Sequence, residues 1–194
     1  MPEENSSAVI AILGAYGGIG SALSHQMAAK GHRLVLGGRD RERVDALAAE
    51  VGGLGIEVDG RDFQQVQTFI DRAAQEGQLV GVVNCAGSVM LKPAHLTIRV
   101  DYDETLDANL TTAFALVRAA VKQMRKQGGA IGLMSSAAAS IGLANHEAIA
   151  AAKGGVAGLT RSAAATYAGR NIRVNAVSPG LVATNATRRI VENE

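Results

Sequence analysis

The sequence has few of the residues that cross-link small proteins or span membranes. Its 194 residues include one cysteine and no tryptophan, and 3% of them are aromatic. One cysteine, Cys85, excludes a disulfide framework and any metal site made of several cysteines, so we expect no bound metal. No apolar run approaches the ~20 residues of a transmembrane helix, and the polar, acidic beginning of the sequence differs from a secretory signal. We therefore expect a cytoplasmic protein that does not bind a membrane.

Charge of neither sign is in excess. Lys and Arg number 19 against 18 Asp and Glu, which leaves a formal net charge of +1. Such a balance gives no electrostatic reason to bind nucleic acid or an anionic membrane. The share of hydrophobic residues, 47%, excludes a disordered chain, and the length corresponds to one domain. We expect residues 1–194 to form a single domain whose partner is a small-molecule substrate.

Alanine and glycine are abundant instead, with 35 and 23 residues. Small side chains let helices and strands approach closely, which suits layered α/β packing better than a β-sandwich. Short apolar runs alternate with longer segments of helical periodicity. Strands are predicted at residues 8–13, 33–36, 55–58, 79–83, 130–134 and 172–177, with helices between them, including 19–30, 102–127 and 144–168.

This alternation predicts the α/β fold class, as a Rossmann-type, doubly wound parallel β-sheet with helices on both faces. Ligands of such sheets bind beyond the carboxyl ends of the strands. The residues that follow each strand are therefore the first candidates for function.

The first predicted strand is followed by a glycine-rich turn, Gly14-Ala15-Tyr16-Gly17-Gly18-Ile19-Gly20, and then by a helix. Glycine permits a tight turn and close approach of the backbone to a pyrophosphate, and the helix N-terminus offers free N–H groups to the phosphates. A strand before the turn and a helix after it are the context that such a motif requires. A P-loop is excluded, since no Lys-Ser or Lys-Thr pair follows the glycines. The turn predicts a dinucleotide site.

Two residues after the second strand bear on the choice of dinucleotide. Arg39 follows Gly38, and its guanidinium group suits a 2′-phosphate. We therefore favour NADP(H), with NAD(H) as the alternative. Asp40 can cap the next helix, which we favour, or accept a hydrogen bond from a ribose 2′-hydroxyl.

Motifs along most of the chain resemble those of the short-chain dehydrogenase/reductase family. The family's Gly-x-x-x-Gly-Ile-Gly matches residues 14–20, its Asn-Asn-Ala-Gly matches residues 84–87 with Cys85 in second place, and its Asn-Ala-Val-Ser-Pro-Gly matches residues 175–180. The acidic residue that contacts the adenine in the family corresponds to Asp59. We interpret Cys85 as a small buried hydrophobe. The cofactor-binding residues that the resemblance implies are Gly14, Tyr16, Gly18, Ile19, Gly20, Arg39, Asp59, Asn84, Ala86, Gly87, Lys153, Pro179, Gly180 and Thr184.

The resemblance also implies a catalytic set, and one member of it is missing. Ser136, Asn109 and Lys153 match the family's serine, asparagine and lysine. The family's tyrosine, which donates the proton, precedes the lysine by four residues, and that position holds Ile149, which has no ionisable group. His146 is a candidate replacement acid because imidazole titrates near neutrality, although a loop histidine facing the solvent is the simpler interpretation. Lys153 retains the family's second role, which is to bind the nicotinamide ribose.

Two functions remain open on this sequence. The first is an NAD(P)(H)-dependent oxidoreductase that transfers a hydride to or from a small carbonyl, alcohol or activated double bond. The second is a catalytically impaired relative that binds a dinucleotide as a sensor or as the partner of an active subunit, which the isoleucine motivates. A hydrolase on a similar sheet is disfavoured, since the sequence contains no Gly-x-Ser-x-Gly motif to carry the nucleophile.

The last helical segment and the end of the sequence carry two further expectations. Between Ala148 and Ala168 the only charged residues are Lys153 and Arg161. A helix that is apolar on nearly all sides is buried on more than one face, so we expect a homodimer or homotetramer formed through the long helices. Family members continue past the Pro-Gly motif into a substrate lid and a final strand, whereas this sequence ends at Glu194, so we expect the domain to lack both.

Overall fold

The computed structural model describes residues 8–185 and 187–188. Its strands are β1 (Ala8–Leu13), β2 (Arg33–Gly38), β3 (Leu54–Glu57), β4 (Gln78–Asn84), β5 (Gly129–Met134) and β6 (Ile172–Val177). They form one sheet with the order β3-β2-β1-β4-β5-β6, in which every neighbouring pair is parallel. The predicted doubly wound sheet is confirmed, and its strand order reverses direction between β1 and β4, where such sheets bind ligands.

The helices are α1 (Gly18–Ala29), α2 (Arg41–Val51), α3 (Phe63–Gln75), α4 (Arg99–Leu106), α5 (Thr112–Met124) and α6 (Glu147–Tyr167). A π-helical turn, Asp107–Thr111, joins α4 to α5, so the helix predicted over residues 102–127 has other ends and a wide turn in its middle. It begins earlier because Asp101 accepts a hydrogen bond from the Ile98 backbone N–H (3.4 Å). It ends earlier because Gly128 takes a left-handed φ of 77°. No helix of the described residues is long and apolar enough to cross a bilayer.

Each face of the sheet buries its own layer of helices. Helices α3, α5 and α6 cover one face, where Phe69, Leu116 and Val156 belong to the same buried cluster. Helices α1 and α2 cover the other face, where Leu47 packs with Leu34. Because side chains alternate along a strand, β1 buries residues on both faces, which explains its continuous apolar run. Four of the nine buried residues of α5 are alanines, whose small side chains allow close packing of the layers.

Side chains cap the starts of α2 and α3 but not the start of α1. Asp40 accepts a hydrogen bond from the Arg43 backbone N–H (3.1 Å), which confirms the predicted helix cap. Asp62 accepts in the same way from the Gln64 N–H (2.8 Å). Gly17 precedes α1 and has no side chain to offer. The N–H groups that open α1 are therefore left to a partner other than a side-chain cap.

Candidate cofactor and active site

The turn between β1 and α1 has a backbone that requires glycine. Gly14 takes a positive φ of 76°, and a Cβ atom on it would lie 2.6 Å from the Ala86 Cα. A Cβ atom on Gly20 would lie 2.7 Å from the Ala15 carbonyl oxygen. Larger residues would therefore force apart α1 and the loops after β1 and β4. Ile19, in the first turn of α1, is half-buried. This open backbone surface at an uncapped helix N-terminus fits a pyrophosphate.

A cleft opens next to this turn, at the carboxyl ends of β1 to β4. The residues predicted to bind the cofactor that line it are Gly14, Tyr16, Arg39, Asp59, Ala86 and Gly87. Lining residues that the sequence analysis missed include Arg61, Ser88, Ala108 and Thr112. Asn84 lies buried behind the cleft, where it accepts a hydrogen bond from the Ala86 N–H (3.0 Å) and donates one to Thr112 Oγ1 (3.1 Å). Its side chain thus holds the loop after β4 in place.

Of the residues that line the cleft, Arg39, Asp59 and Arg61 are charged. Arg61 binds Asp59 through its guanidinium group, with Nη2 2.6 Å from Oδ2 and Nε 3.0 Å from Oδ1. These bonds, helped by the positive charge of Arg39, hold the pKa of the Asp59 carboxyl below its usual value. Asp59 is therefore ionised at neutral pH and paired with Arg61. The signal in the sequence was the Asp-Gly-Arg spacing directly after the third strand.

Lys153 and Asn109 lie against Gly87, which lines the cleft. A Cβ atom on Gly87 would lie 2.7 Å from Asn109 Oδ1 and 3.5 Å from Lys153 Nζ. Lys153 is 8% exposed, and its Nζ donates a hydrogen bond to the Met134 carbonyl oxygen (2.8 Å). Burial lowers the pKa of its ammonium group to about 8. The loop after β4, the π-helical turn and α6 thus bring together three residues that lie far apart in the sequence.

The π-helical turn gives Asn109 its position. Asn109 is buried, and its Nδ2 donates hydrogen bonds to the carbonyl oxygens of Thr105 (3.0 Å) and Ser88 (3.2 Å). Its Oδ1 accepts one from the Ser88 backbone N–H (3.4 Å). The side chain therefore ties the widened helix to the loop after β4. Such wide turns are frequent at functional sites.

Two neighbouring serines after β5 make different bonds. Ser136 is half-buried, and its Oγ accepts a hydrogen bond from the Ala138 backbone N–H (3.2 Å). Ser135 is buried, and its Oγ donates to the Lys153 carbonyl oxygen (3.0 Å). A hydroxyl that accepts a bond keeps its own proton, so Ser136 can still donate one. Ser135 fastens α6 to the end of β5.

The first turn of α6 holds the position where the family resemblance requires a tyrosine. Helix α6 begins at Glu147, later than predicted, because Asn145 takes a left-handed φ of 62° just before it. His146 is the N-cap residue, and its Nδ1 lies 2.7 Å from the carbonyl oxygen two residues before it. Ile149 is buried, at 4% exposure, one turn before Lys153. His146 precedes Lys153 by seven residues, which is about 10 Å along a helix.

The chain after β6 returns to the start of α1. The Pro179 carbonyl oxygen accepts a hydrogen bond from the Ala137 N–H (2.9 Å), and Gly180 is exposed. A Cβ atom on Gly18 would lie 2.6 Å from Thr184 Cγ2. Thr184 therefore packs on Gly18, 166 residues earlier in the sequence.

Cys85 lines the cleft and is half-buried, not fully buried as predicted. Burial raises the pKa of its thiol to about 12. A thiol that does not ionise is a poor nucleophile, which agrees with its interpretation as a small hydrophobe. Among residues 8–185 and 187–188, no group of three histidine, cysteine, aspartate or glutamate side chains is placed to hold a metal ion.

Comparisons with known proteins agree with this architecture. A family model described as enoyl-(acyl carrier protein) reductase matches residues 14–194. D-threitol dehydrogenase of Mycolicibacterium smegmatis is 39% identical over 183 residues, which are 91% of this chain and 70% of that protein. The 3-oxoacyl-(acyl-carrier-protein) reductase FabG of Thermotoga maritima is 34% identical over 95% of this chain and 78% of that protein. The crystal structure of levodione reductase is similar with a TM-score of 0.90, at 28% identity, over 95% of this chain and 76% of that one.

The relatives at the sequence level are a dehydrogenase and a reductase, and the similarity runs from the glycine turn to the last residues. The similar solved structure shares the overall fold and is that of a reductase. The family model and both relatives cover far more of the chain than a shared nucleotide-binding motif would. The chain therefore belongs to the short-chain dehydrogenase/reductase family of NAD(P)-binding oxidoreductases.

Proposed function

We propose that the protein is an NADP(H)-dependent oxidoreductase acting on a small molecule that carries a carbonyl, an alcohol or an activated double bond. The position of Gly87 carries this proposal. Gly87 lines the cleft beside the glycine turn, and it also lies against Asn109 and Lys153. A ligand that contacts Gly87 would therefore lie next to both of these polar side chains.

The chain offers a backbone surface for the pyrophosphate of a dinucleotide. The uncapped start of α1 and the glycine turn suit the pyrophosphate. When bound, the cofactor supplies the hydride or accepts it. The residues that we assign to its binding are Gly14, Tyr16, Gly18, Ile19, Gly20, Arg39, Asp59, Ala86, Gly87, Lys153, Pro179, Gly180 and Thr184, with Asn84 supporting the loop after β4.

Arg39 supports NADP(H) over NAD(H). Its guanidinium group is exposed at the cleft, at the end of β2, where the adenosine half of a dinucleotide is expected. Asp40, the acidic residue next to it, accepts the Arg43 N–H as the cap of α2. The Asp40 carboxylate thus caps α2, and Arg39 is the charged residue at the end of β2 that is placed to bind the ligand.

The proton for the substrate oxygen needs a source other than a tyrosine, since Ile149 cannot donate one. We assign to Ser136 the hydrogen bond to the substrate oxygen, to Asn109 the ordering of a water molecule, and to Lys153 the binding of the nicotinamide ribose. Water then delivers the proton, with His146 as the second source to be tested. An imine or an activated double bond suits such a site, because its reduction needs less help from an acid than that of a simple ketone.

We also propose that α6 pairs with a second copy of the chain. Lys153 is buried, so Arg161 is the one charged side chain that α6, described over its whole length, exposes after its first turn. The remaining exposed surface is rich in alanine, including Ala151 and Ala165. Light scattering at micromolar concentration should give a dimer or tetramer mass, and a monomer mass would contradict this assignment.

Titration and turnover test the main proposal. In calorimetry we expect NADPH to bind about tenfold more tightly than NADH, because a 2′-phosphate gains charge-assisted hydrogen bonds. We expect NADPH oxidation with some members of a panel of ketones, imines and enones, and we expect Lys153→Ala to abolish it. Lys122→Ala, at an exposed lysine of α5, is the matched control and should keep full activity. Tighter binding of NADH would overturn the cofactor assignment.

Ile149→Tyr distinguishes a working enzyme from a protein that only binds the dinucleotide. A hydroxyl at this position, one turn before Lys153, should raise carbonyl reduction by about a hundredfold, the contribution of a general acid. Ile149→Phe is the control, because it adds the ring without the hydroxyl. Turnover in the wild type supports the oxidoreductase. Turnover found only in Ile149→Tyr would show that the natural chain is a binding protein.

A further inference from the structure

Charge is distributed unevenly over the loops at the carboxyl end of the sheet. The loops after β1, β2 and β3 are residues 14–17, 39–40 and 58–62. They contain five charged residues, and none of their large apolar side chains is exposed. A ligand that contacts these three loops therefore meets charged side chains.

The loops after the other three strands carry almost no charge. They are residues 85–98 after β4, 135–146 after β5 and the described segment 178–185 after β6. At neutral pH they contain a single charged residue, Lys92, whose ammonium group is paired with the Asp101 carboxylate. These loops thus offer a ligand no unpaired formal charge.

Each of these uncharged loops exposes a pair of large apolar side chains close to its strand. The pairs are Val89 and Leu91, Ile141 and Leu143, and Leu181 and Val182. Their exposed fractions lie between 39% and 57%. Apolar groups that are gathered at the surface favour contact with an apolar ligand, because that contact removes them from water.

Backbone hydrogen bonds hold the three pairs together. The Lys92 N–H donates to the Asn145 carbonyl oxygen (2.8 Å), which joins the loop after β4 to the loop after β5. The Ala137 N–H donates to the Pro179 carbonyl oxygen (2.9 Å), which joins the loop after β5 to the segment after β6. Every apolar pair lies within four residues of one of these bonds, so the three pairs belong to one part of the molecular surface.

This apolar surface adjoins the candidate active site. Ser88, which accepts a hydrogen bond from Asn109, directly precedes the first pair. Ser136 lies on the same loop as the second pair. The third pair precedes Thr184, which packs on Gly18 of the glycine turn. The surface is therefore continuous with the residues that we assign to the cofactor and to the substrate oxygen.

We propose that the substrate is an uncharged, apolar molecule, whose alkyl or aryl part lies on these three pairs while its reacting group meets Ser136. This inference rests on the proposed function, and it adds the substrate class. A charged or polyhydroxylated substrate would leave water for loops that offer few partners to its polar groups. A bound alkyl chain gains affinity instead, by about fourfold for each CH2 group removed from water.

Unreactive carboxamides test the substrate class without turnover. Butanamide, hexanamide and octanamide carry the same carbonyl on alkyl chains of growing length, and gluconamide is hexanamide with a hydroxyl group on every carbon beyond the carbonyl. In calorimetry with NADPH present, we expect hexanamide to bind about fifteenfold more tightly than butanamide, and octanamide more tightly still. Gluconamide should bind more weakly than butanamide.

Ile141→Asn and Leu143→Asn test the surface itself. Both side chains are exposed, so the variants should fold, and each should weaken octanamide binding by about fivefold through the loss of apolar contact. Ile141→Leu is the conservative variant and should keep the affinity. Phe114→Asn makes the same change of polarity at an exposed residue of α5, outside these loops, and should also keep it.

The outcomes separate this inference from the proposed function. Amide affinity that grows with chain length, in a protein that reduces no member of the panel of ketones, imines and enones, would overturn the oxidoreductase alone. Turnover together with gluconamide binding as tight as that of hexanamide, or with no detectable octanamide binding, would overturn the apolar substrate alone. Octanamide affinity unchanged in Ile141→Asn and Leu143→Asn, with a smaller mass in light scattering, would show that the surface joins two copies of the chain instead.

Discussion

The two ends of the cleft are built from different parts of the polypeptide. At the glycine turn the surface is backbone, and side chains on Gly14 or Gly20 would collide with neighbouring backbone atoms. At Gly87, the buried side chains of Asn109 and Lys153 lie directly behind the cleft lining. Ile149 is buried in α6, one turn before Lys153. A site made of backbone therefore fixes its own sequence by sterics, whereas a site made of side chains can change its chemistry while the fold stays the same.

The strongest test of this difference adds a methyl group to the glycine turn. In Gly20→Ala the new Cβ atom would meet the carbonyl oxygens of Gly14 and Ala15, the latter at 2.7 Å. These are backbone atoms that cannot rotate away, so α1 must move off the turn. We expect NADPH affinity, measured by calorimetry, to fall by about a hundredfold and the free energy of unfolding to fall by ~1–3 kcal/mol.

Gly169→Ala is the matched control for this change. Gly169 lies in a 3-10 turn after α6, and a Cβ atom there would meet nothing within 4 Å. Its free energy of unfolding should stay within about 0.5 kcal/mol of the wild type. NADPH affinity that is as high in Gly20→Ala as in Gly169→Ala would mean that the turn does not receive the cofactor.

At the side-chain end, the stability of the protein should depend on the protonation of Lys153. Burial lowers its pKa from 10.5 to about 8 in the folded protein, so the charged form is disfavoured by folding. Between pH 8 and pH 10.5 the unfolded chain binds more protons at this site than the folded one, and stability therefore rises with pH. Below pH 8 the buried charge lowers the free energy of unfolding by its full amount, and this loss becomes smaller as the pH rises towards 10.5.

Lys153→Met removes this titration and keeps the length of the side chain. Urea unfolding from pH 7 to pH 10.5 should show the wild type gaining on Lys153→Met by on the order of 3 kcal/mol. Other alkaline effects cancel in the difference between the two proteins. Lys122→Met, at an exposed lysine, should show no such trend. A constant difference between the wild type and Lys153→Met would mean that water reaches the buried ammonium group.

The same contrast explains what the sequence could predict. The strands, the sheet and the glycine turn could be predicted from local patterns. An apolar run, a glycine and a helix start can each be recognised from a few consecutive residues. The cap at Asp40 is also local, since its partner is three residues away. The π-helical turn depends on hydrogen bonds between Asn109 and Ser88, which are 21 residues apart. The periodicity of the sequence cannot predict a hydrogen bond over that separation.

Arg61 was missed for a related reason. Arg61 pairs with Asp59, two residues away. Its place in a cleft, however, depends on β1, β2 and β4, because the loops after these strands form the rest of the lining. An arginine two residues after an aspartate is common on any protein surface. The charge of a cleft is a property of the assembled sheet, and the sequence shows it only after the strand order is known.

The smallest expected effect concerns Asp40, where a helix cap stands next to the cofactor end of the cleft. Asp40→Ala should lower the free energy of unfolding by about 1 kcal/mol, since the Arg43 N–H loses its acceptor. Asp62→Ala removes the equivalent cap of α3 and should lower the free energy of unfolding by a similar amount.

NADH affinity decides between the two interpretations of Asp40. NADH has the ribose 2′-hydroxyl that Asp40 would bind in the alternative interpretation. We expect equal NADH affinity for Asp40→Ala and wild type, because the carboxylate belongs to the helix. If Asp40→Ala lost NADH affinity and Asp62→Ala did not, Asp40 would instead bind the ribose 2′-hydroxyl.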